Sequence, residues 1–375
     1  MKKVLYIVNT DWFFITHRLP IAIAAQKKGY EVHIAVGESE RKEILIKNNM
    51  KVHIIKMDRK STNPFKFLIS FIEVYNLIRK VKPNLLHLIT IKPVIIGGLA
   101  CRFLKPLPIV TSITGLGYIF SSKGLTNKIK RYLVQILYNL VFSNKNLIAI
   151  FQNKDNQDTL LKKTSLKRRN TIILKGSGVD LNNYKYTSVN TSNPKILFAS
   201  RLLISKGVME FIHASELVKE AKFIIAGKMD EGNPESLTND QLKTALEGKN
   251  IDYLGFKENI SEVISDSTIF VLPSYYGEGF PKVIAEAAAC GRPVITTNNV
   301  GCRDAIVEGK TGLLIPKKNI NRLVLAIKYL LQKPDLIQEM CQNARNLAEK
   351  EFDIKLIVEA HLKIYSQLLE PICNT

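Results

Sequence analysis

Two glutamates, Glu278 and Glu286, stand eight positions apart in the stretch PSYYGEGFPKVIAEAAACGRPV. A buried-strand pattern, Ile269–Leu272, runs into Pro273. A loop with Gly277 and Gly279 follows, and Pro281 suits the first turn of a helix. Glu278 then falls on the loop at the strand exit, and Glu286 on the second helical turn. Carboxylates so placed can accept hydrogen bonds from vicinal hydroxyls, as of a ribose and a second sugar. The backbone N–H groups of Gly279, Phe280 and Lys282 add donors for hydroxyl or phosphate oxygens. Two glutamates at this spacing are by default a solvated helix face; the GEGFP turn directly after a buried strand argues for a site instead. A second constellation lies upstream. The strand pattern KILFAS leads to Arg201, then Lys206-Gly207, then a helix from about Val208. Two cations and several N–H groups at a helix start make a seat for a diphosphate, whereas either cation alone would be ordinary solvated surface.

These residues need a scaffold that gathers strand ends. In the first half, strand patterns fit Val4–Val8, Glu31–Val36, Leu85–Thr90, Ile109–Ser112, Leu147–Phe151 and Thr171–Leu174, with a loop at Asn9–Phe14 and a helix ending near Gly29. The polar, turn-rich stretch 185–194 reads as a linker. The pattern then restarts, with strands at KILFAS, Phe223–Ala226, Ile251–Leu254, Ile269–Leu272, Val294–Thr296 and Gly312–Ile315, and helix from about Ile320 to Leu369. Strands alternating with helices imply an α/β protein of two doubly wound domains facing a cleft. The expected division is 1–187, 188–353, and a C-terminal helical segment 354–375 packing back on the first domain. In such sheets ligands bind beyond the carboxyl ends of the strands, where both constellations fall. No GxGxxG follows the first strand and no GxxxxGK[ST] occurs, which speaks against a dehydrogenase and a phosphoryl-transfer ATPase.

The chain has 375 residues, 46% hydrophobic and 23% charged, enough for two sizeable cores. The net charge of +21 is uneven. Residues 1–187 hold 32 Lys and Arg against 10 Asp and Glu; the remainder holds 22 against 23. Between Glu73 and Asp155 there are twelve basic residues and no acidic one. Such a field attracts an anionic membrane surface, and segments 64–82 and 123–142 mix apolar and basic positions as interfacial helices do, although two core helices would read alike. Nucleic acid is not expected, since no zinc finger, RRM signature or basic heptad occurs. Cys101, Cys290, Cys302, Cys341 and Cys373 lie far apart and read as reduced thiols. No apolar run reaches the roughly 18 residues that span a bilayer, and the N-terminus turns polar too early for a signal peptide. The expected location is therefore cytoplasmic, peripheral on the inner face of the cell membrane.

The motifs FFITHRLPIA (13–22), TGLGYIF (114–120), GSGVDLNNY (176–184), RLLISKGV (201–208), LPSYYGEGFPKVIAEAAACGRPV (272–294) and GCRDAIVEGKTGLL (301–314) resemble those of retaining glycosyltransferases of family 4. The resemblance implies a GT-B fold of two Rossmann-like domains, the first for acceptor and the second for donor. The first two motifs look like the branch that extends polyprenyl-diphosphate-linked acceptors in surface polysaccharide assembly, such as capsule or O-antigen.

Carried to this chain, the resemblance implies that Arg201 and Lys206 hold the donor diphosphate and stabilise the leaving nucleotide, with Gly207 beside them. Glu286 would bind the ribose; Glu278, with the Gly279 and Phe280 amides, would bind the transferred sugar; Gly255 and Phe256 would flank the base. On the acceptor side stand Asp11, His17, Arg18, Thr114 and Gly115, with Thr114 where many members have a histidine. A lone His17 before Arg18 is more often a satisfied structural histidine. The donor would be a UDP-linked hexose or N-acetylhexosamine and the acceptor a lipid-linked saccharide. No cofactor and no metal is implied, and no Asp-x-Asp triplet occurs. A nucleotide-sugar epimerase of the same fold and a non-catalytic basic membrane-binding adaptor are the alternatives. The epimerase needs an acid–base cluster that the sequence does not offer, and the adaptor leaves both constellations unexplained.

Overall fold

A computed structural model describes residues 1–58, 61, 63–104, 106–116 and 125–370. Lys123, the end of the TGLGYIF motif and Cys373 lie outside the described residues. The chain divides into two compact units, 1–177 with 355–375, and 178–354. The stretch 185–194 lies inside the second unit.

The first unit is built on a parallel sheet of strands β1 (Lys3–Thr10), β2 (Glu31–Glu38), β3 (Lys51–Ile54), β4 (Leu85–Ile89), β5 (Ile109–Ile113), β6 (Leu147–Phe151) and β7 (Thr171–Ile173), in the order β3-β2-β1-β4-β5-β6-β7. The central strands are apolar runs because helices cover both faces, leaving no solvated side to alternate with. The strand β3, absent from the sequence reading, pairs only with β2 at the edge. The expected loop after β1 is a helix, Asp11–His17, which breaks at Arg18 before a second helix, Leu19–Lys27. The C-terminal helix Ile354–Leu369 joins this unit through Tyr365, whose hydroxyl donates to Tyr6 of β1 at 3.0 Å.

Helices Pro64–Val81 and Leu125–Phe142 both pack on helix Ile91–Arg102. A Cβ at Gly98 would meet the Val141 side chain at 2.5 Å, so this glycine sets how closely the helices approach. Both outer helices bury one face and expose apolar residues on the other. These are Phe65, Leu68, Ile69 and Ile72 on the first, and Ile129, Tyr132, Leu133, Ile136 and Leu140 on the second. Among the described residues no helix is long and apolar enough to cross a membrane.

The second unit carries β8 (Lys195–Ala199), β9 (Lys222–Ala226), β10 (Ile251–Tyr253), β11 (Ile269–Leu272), β12 (Val294–Thr297) and β13 (Gly312–Ile315), all parallel, in the order β10-β9-β8-β11-β12-β13. Its expected terminal helix is broken into Ile320–Leu331, Pro334–Leu347 and Ile354–Leu369, the first break falling before Pro334. Cys101, Cys290, Cys302 and Cys341 are free, buried thiols.

Candidate active site

Strands β8 and β11 are neighbours at the centre of the second sheet, and the strand order reverses between them. Loops leaving such a pair part to opposite faces and open a crevice at the carboxyl ends. Here one atom fastens the two loops together. The carbonyl of Ser205, after β8, accepts the N–H groups of Tyr275 and Tyr276, after β11, at 2.9 and 3.0 Å. The Ser274 hydroxyl donates to the same oxygen at 3.3 Å. Gly207, which caps helix Val208–Leu217, has φ of +82°, and a Cβ there would collide with the Pro273 carbonyl. Only glycine allows the helix start to sit so close to the neighbouring strand exit.

Lys206 and Glu278 are thereby brought into contact: the Lys206 ammonium donates to Glu278 Oε1, with the two side chains 9% and 11% exposed. The ammonium also lies 5.3 Å from the centre of the Tyr276 ring. Arg201 Nη1 donates to Asp230 Oδ2 at 2.6 Å, and Asn233 Nδ2 donates to the same oxygen at 3.0 Å. The Ser205 hydroxyl donates to Glu235. Asp230, Asn233 and Glu235 belong to the loop after β9, a third strand end that the sequence reading left out. No motif marks them; only the position of the loop beside β8 could have pointed there.

Glu286 lies on helix Lys282–Ala289, 7% exposed, with Lys282 Nζ 3.5 Å from its Oε1. Burial, then the Glu286 charge, push the Tyr184 phenol far above its ordinary range. Pro281 precedes the helix as its cap rather than entering its first turn. Phe280 is a core residue, its ring 5.2 Å from that of Phe352. Its side chain is therefore spent on packing, and its part in a site can only be its backbone. Gly255, at φ +65°, accepts the Gly227 N–H at 2.8 Å, and Phe256 beside it is exposed with the Lys228 ammonium over its ring. The second unit thus joins Lys206 and Glu278 across the β8/β11 exit, with Gly207 beside Lys206 and Glu286 on the helix that follows the same loop, while Arg201, past the end of β8, pairs with the loop after β9.

The first-unit residues behave differently. Both oxygens of Asp11 are taken by backbone, Oδ1 by the Trp12 N–H and Oδ2 by the Arg41 N–H, each at 2.6 Å. His17 is half-buried, its Nδ1 2.9 Å from the Ser177 hydroxyl and its ring against Phe13. Thr114 and Gly115 are half-buried just past the end of β5. Arg18 is not at the surface: it is 2% exposed and donates from Nη1 to the His17 carbonyl at 2.9 Å, while its Nε finds no partner among the described residues. Burial lowers its guanidinium to about 10. It belongs to a buried polar group with Tyr6, Tyr365, His87 and His361. His87 Nδ1 lies 2.6 Å from the Tyr365 hydroxyl and Nε2 2.8 Å from the Ser112 hydroxyl. Since Tyr365 donates its proton to Tyr6, Nδ1 donates to Tyr365. Burial holds His87 well below its ordinary range, so the ring is neutral and Nε2 accepts from Ser112.

Residues 182–347 match the family described as glycosyl transferases group 1, and residues 3–153 that described as glycosyl transferase 4-like. The chain is 28% identical to the N,N'-diacetylbacillosaminyl-diphospho-undecaprenol alpha-1,3-N-acetylgalactosaminyltransferase of Campylobacter jejuni, over 94% of this chain and 95% of that one. It is 23% identical to the UDP-Gal:alpha-D-GlcNAc-diphosphoundecaprenol alpha-1,3-galactosyltransferase of Escherichia coli, over 91% and 90%. Its fold superposes on sucrose-phosphate synthase from Thermosynechococcus elongatus with a TM-score of 0.81, at 16% identity, over 98% of this chain and 99% of that one. With both sheets doubly wound and both halves matched, the chain belongs to the group 1, 4-like glycosyltransferases, and its two Rossmann-like units are those of the GT-B fold.

Proposed function

We propose that the protein transfers a hexose or N-acetylhexosamine from a UDP-linked donor to a polyprenyl-diphosphate-linked saccharide. The reaction proceeds with retention and without a metal ion, in surface polysaccharide assembly at the inner face of the cell membrane. The observation that carries this reading is the Lys206–Glu278 pair at the β8/β11 switch point, with Arg201 just past the end of β8 and Glu286 on the adjoining helix. The names of the two bacterial relatives support the lipid-linked acceptor, and the second also supports UDP.

In this reading the bond from the anomeric carbon to the diphosphate breaks while the acceptor oxygen bonds the same face of that carbon. The acceptor proton passes to the leaving phosphate oxygen, so no side-chain base is needed. Charge builds on the departing diphosphate, and Arg201 and Lys206 are fixed in advance to meet it. Glu278 accepts from a hydroxyl of the transferred sugar, Glu286 from the ribose, and the exposed Phe256 ring offers the base a flat face. The apolar faces of helices Pro64–Val81 and Leu125–Phe142, with Lys128, Lys130 and Arg131 on the second, are suited to lie in an anionic leaflet.

The test is sugar transfer from UDP sugars to a polyprenyl diphosphate saccharide by the parent protein, Lys206→Ala and Glu278→Ala. Transfer by the parent that falls in both variants supports the reading; undiminished turnover in both rejects the site.

A further inference from the structure

Residues 201–205, after β8, are stitched to the loop after β9. The Leu202 N–H donates to the Lys228 carbonyl at 3.0 Å, the Ile204 N–H to the Glu235 carbonyl at 2.8 Å, and the Leu237 N–H to the Leu202 carbonyl at 2.9 Å. The Ser205 hydroxyl adds its bond to the Glu235 carboxylate. Within this loop Asp230 is anchored by bonds of its own. Its N–H donates to the Ser236 hydroxyl at 3.0 Å, its carbonyl accepts the Asn233 N–H at 2.9 Å, and its Oδ2 accepts Asn233 Nδ2 at 3.0 Å. Arg201 Nη1 donates to that same oxygen at 2.6 Å. A flexible side chain thus meets an acceptor that the backbone already holds in place.

We propose that Asp230 is a positioning residue for sugar transfer, holding the Arg201 guanidinium where the departing diphosphate gathers charge. This rests on the reading of Arg201 as a ligand of that diphosphate. The two side chains are 31% and 20% exposed, and an ion pair so open to solvent adds little stability, so upkeep of the fold does not account for it. Aim does. Arginine meets phosphate oxygens through a planar fork on a long, flexible stem, and the fork must be turned correctly to serve. Asp230 ties one nitrogen of that fork, and the partly exposed side chain keeps a surface open to a ligand. A carboxylate beside the site also repels a diphosphate, so its benefit lies in orientation and not in donor binding. Charge grows on the diphosphate as its bond to the sugar breaks. A loosely aimed Arg201 therefore costs more in the transition state than in the donor complex, and the loss falls on the rate of transfer rather than on donor affinity.

Asp230→Ala, Asp230→Asn, Arg201→Ala and the double variant Arg201→Ala with Asp230→Ala would be compared with the parent. The readouts are the single-turnover rate of transfer at saturating UDP sugar and the affinity for UDP by calorimetry. Asp230→Ala should slow transfer at least about tenfold, since a misplacement of about 1 Å can cost 10²-fold, and should not weaken UDP. Arg201 and Asn233 share one oxygen of Asp230, so the single carbonyl oxygen of Asp230→Asn can take both bonds. That variant should fold like the parent and transfer within about threefold of its rate. The double variant should be within about twofold of Arg201→Ala alone, because Asp230 then has nothing left to aim. A parental or faster rate in Asp230→Ala, with Arg201→Ala impaired, would show that the carboxylate merely competes with the diphosphate, and would overturn the proposal while leaving Arg201 as ligand. A further loss in the double variant, or an equal loss in Asp230→Asn and Asp230→Ala, would make Asp230 a structural residue of its loop and also overturn it. An unimpaired Arg201→Ala, or a parent that transfers no sugar, would overturn the reading on which the proposal rests.

Discussion

Lys206 and Glu278 form an ion pair across the β8/β11 switch point, although one follows the first of these strands and the other follows the second. The sequence reading gave them separate tasks, a cation for phosphate and a carboxylate for sugar. In the fold each is the counterion of the other, held by the loop contacts at the Ser205 carbonyl. Removing one partner of a nearly buried pair leaves the other charge uncompensated, which costs about 3–5 kcal/mol, while removing both costs far less. Lys206→Met and Glu278→Gln should each lower the unfolding free energy, and the double variant should recover much of the loss. Sugar transfer should fall in all three, by roughly 10²–10³ in kcat where Lys206 is missing. Denaturant titration beside the transfer assay checks this; additive stability losses would mean that the pair is not coupled.

Gly207 gives a prediction free of charge effects. Its φ of +82° and the close Pro273 carbonyl leave no room for a methyl group. Gly207→Ala should destabilise the protein by about 1–3 kcal/mol from the left-handed backbone, with the clash against Pro273 adding to it. It should also disturb UDP binding, because the loops move apart where Lys206 is held. Gly255→Ala is the matched control: its φ is +65°, yet a Cβ there meets nothing within 4 Å. It should cost less, and calorimetric melting of both variants gives the comparison.

Legibility in the sequence followed burial. The strands β8, β11 and β12 are continuous apolar runs and could be read within a residue of their ends, because a covered parallel sheet leaves no polar face. The strand β3 could not, since Lys51 and His53 interrupt a four-residue edge element. The segment after β1 looked like a loop. It is a helix whose first residue, Asp11, uses its carboxylate on backbone N–H groups, a local bond that no spacing rule shows. Arg18 was expected on the acceptor side of the site; here it is buried beside Tyr6 and Tyr365, residues at opposite ends of the chain. Glu278, Glu286 and Lys206 could be found because a strand, a turn and a helix start surround each within a few residues. Asp230 could not, since what places it is the neighbourhood of a distant segment.

The exposed apolar residues of helix Leu125–Phe142 lead to a membrane prediction. Leu133→Glu with Ile136→Glu should release the protein from vesicles containing anionic lipid, while transfer to a short, water-soluble acceptor analogue stays near the parental rate. Replacing Lys128, Lys130 and Arg131 by Gln should weaken vesicle binding by about 1 kcal/mol for each charge near the surface, and added salt should erase that difference. Co-sedimentation at two ionic strengths measures both. Retention of the double glutamate variant on vesicles would remove this helix from the interface.

The buried group around Arg18 predicts how stability depends on pH. His361 is lowered to about 3, first by burial and then by the Arg18 charge, and its Nε2 has no partner among the described residues. His87 is lowered by burial, then by His361 and Arg18. In the unfolded chain both take up a proton near their ordinary value of about 6.5. Below that pH the unfolded state holds more protons than the folded one, so stability must fall as the pH drops from 6.5 towards the folded values. Glu31 acts in a lower window. Its partners Lys51 and His33 hold it at about 2, so its contribution is complete above the ordinary glutamate value and is lost as the pH falls towards 2. Between pH 5 and 6.5 the slope therefore belongs to the histidines, at up to about 1.4 kcal/mol per pH unit for each. Denaturant midpoints over this range should fall steeply in the parent and in Glu31→Gln, and less steeply in His361→Leu, which also relieves the unpaired Nε2. An equal slope in His361→Leu would show that this histidine can take up a proton within the fold, and that Arg18 does not oppose its charge there.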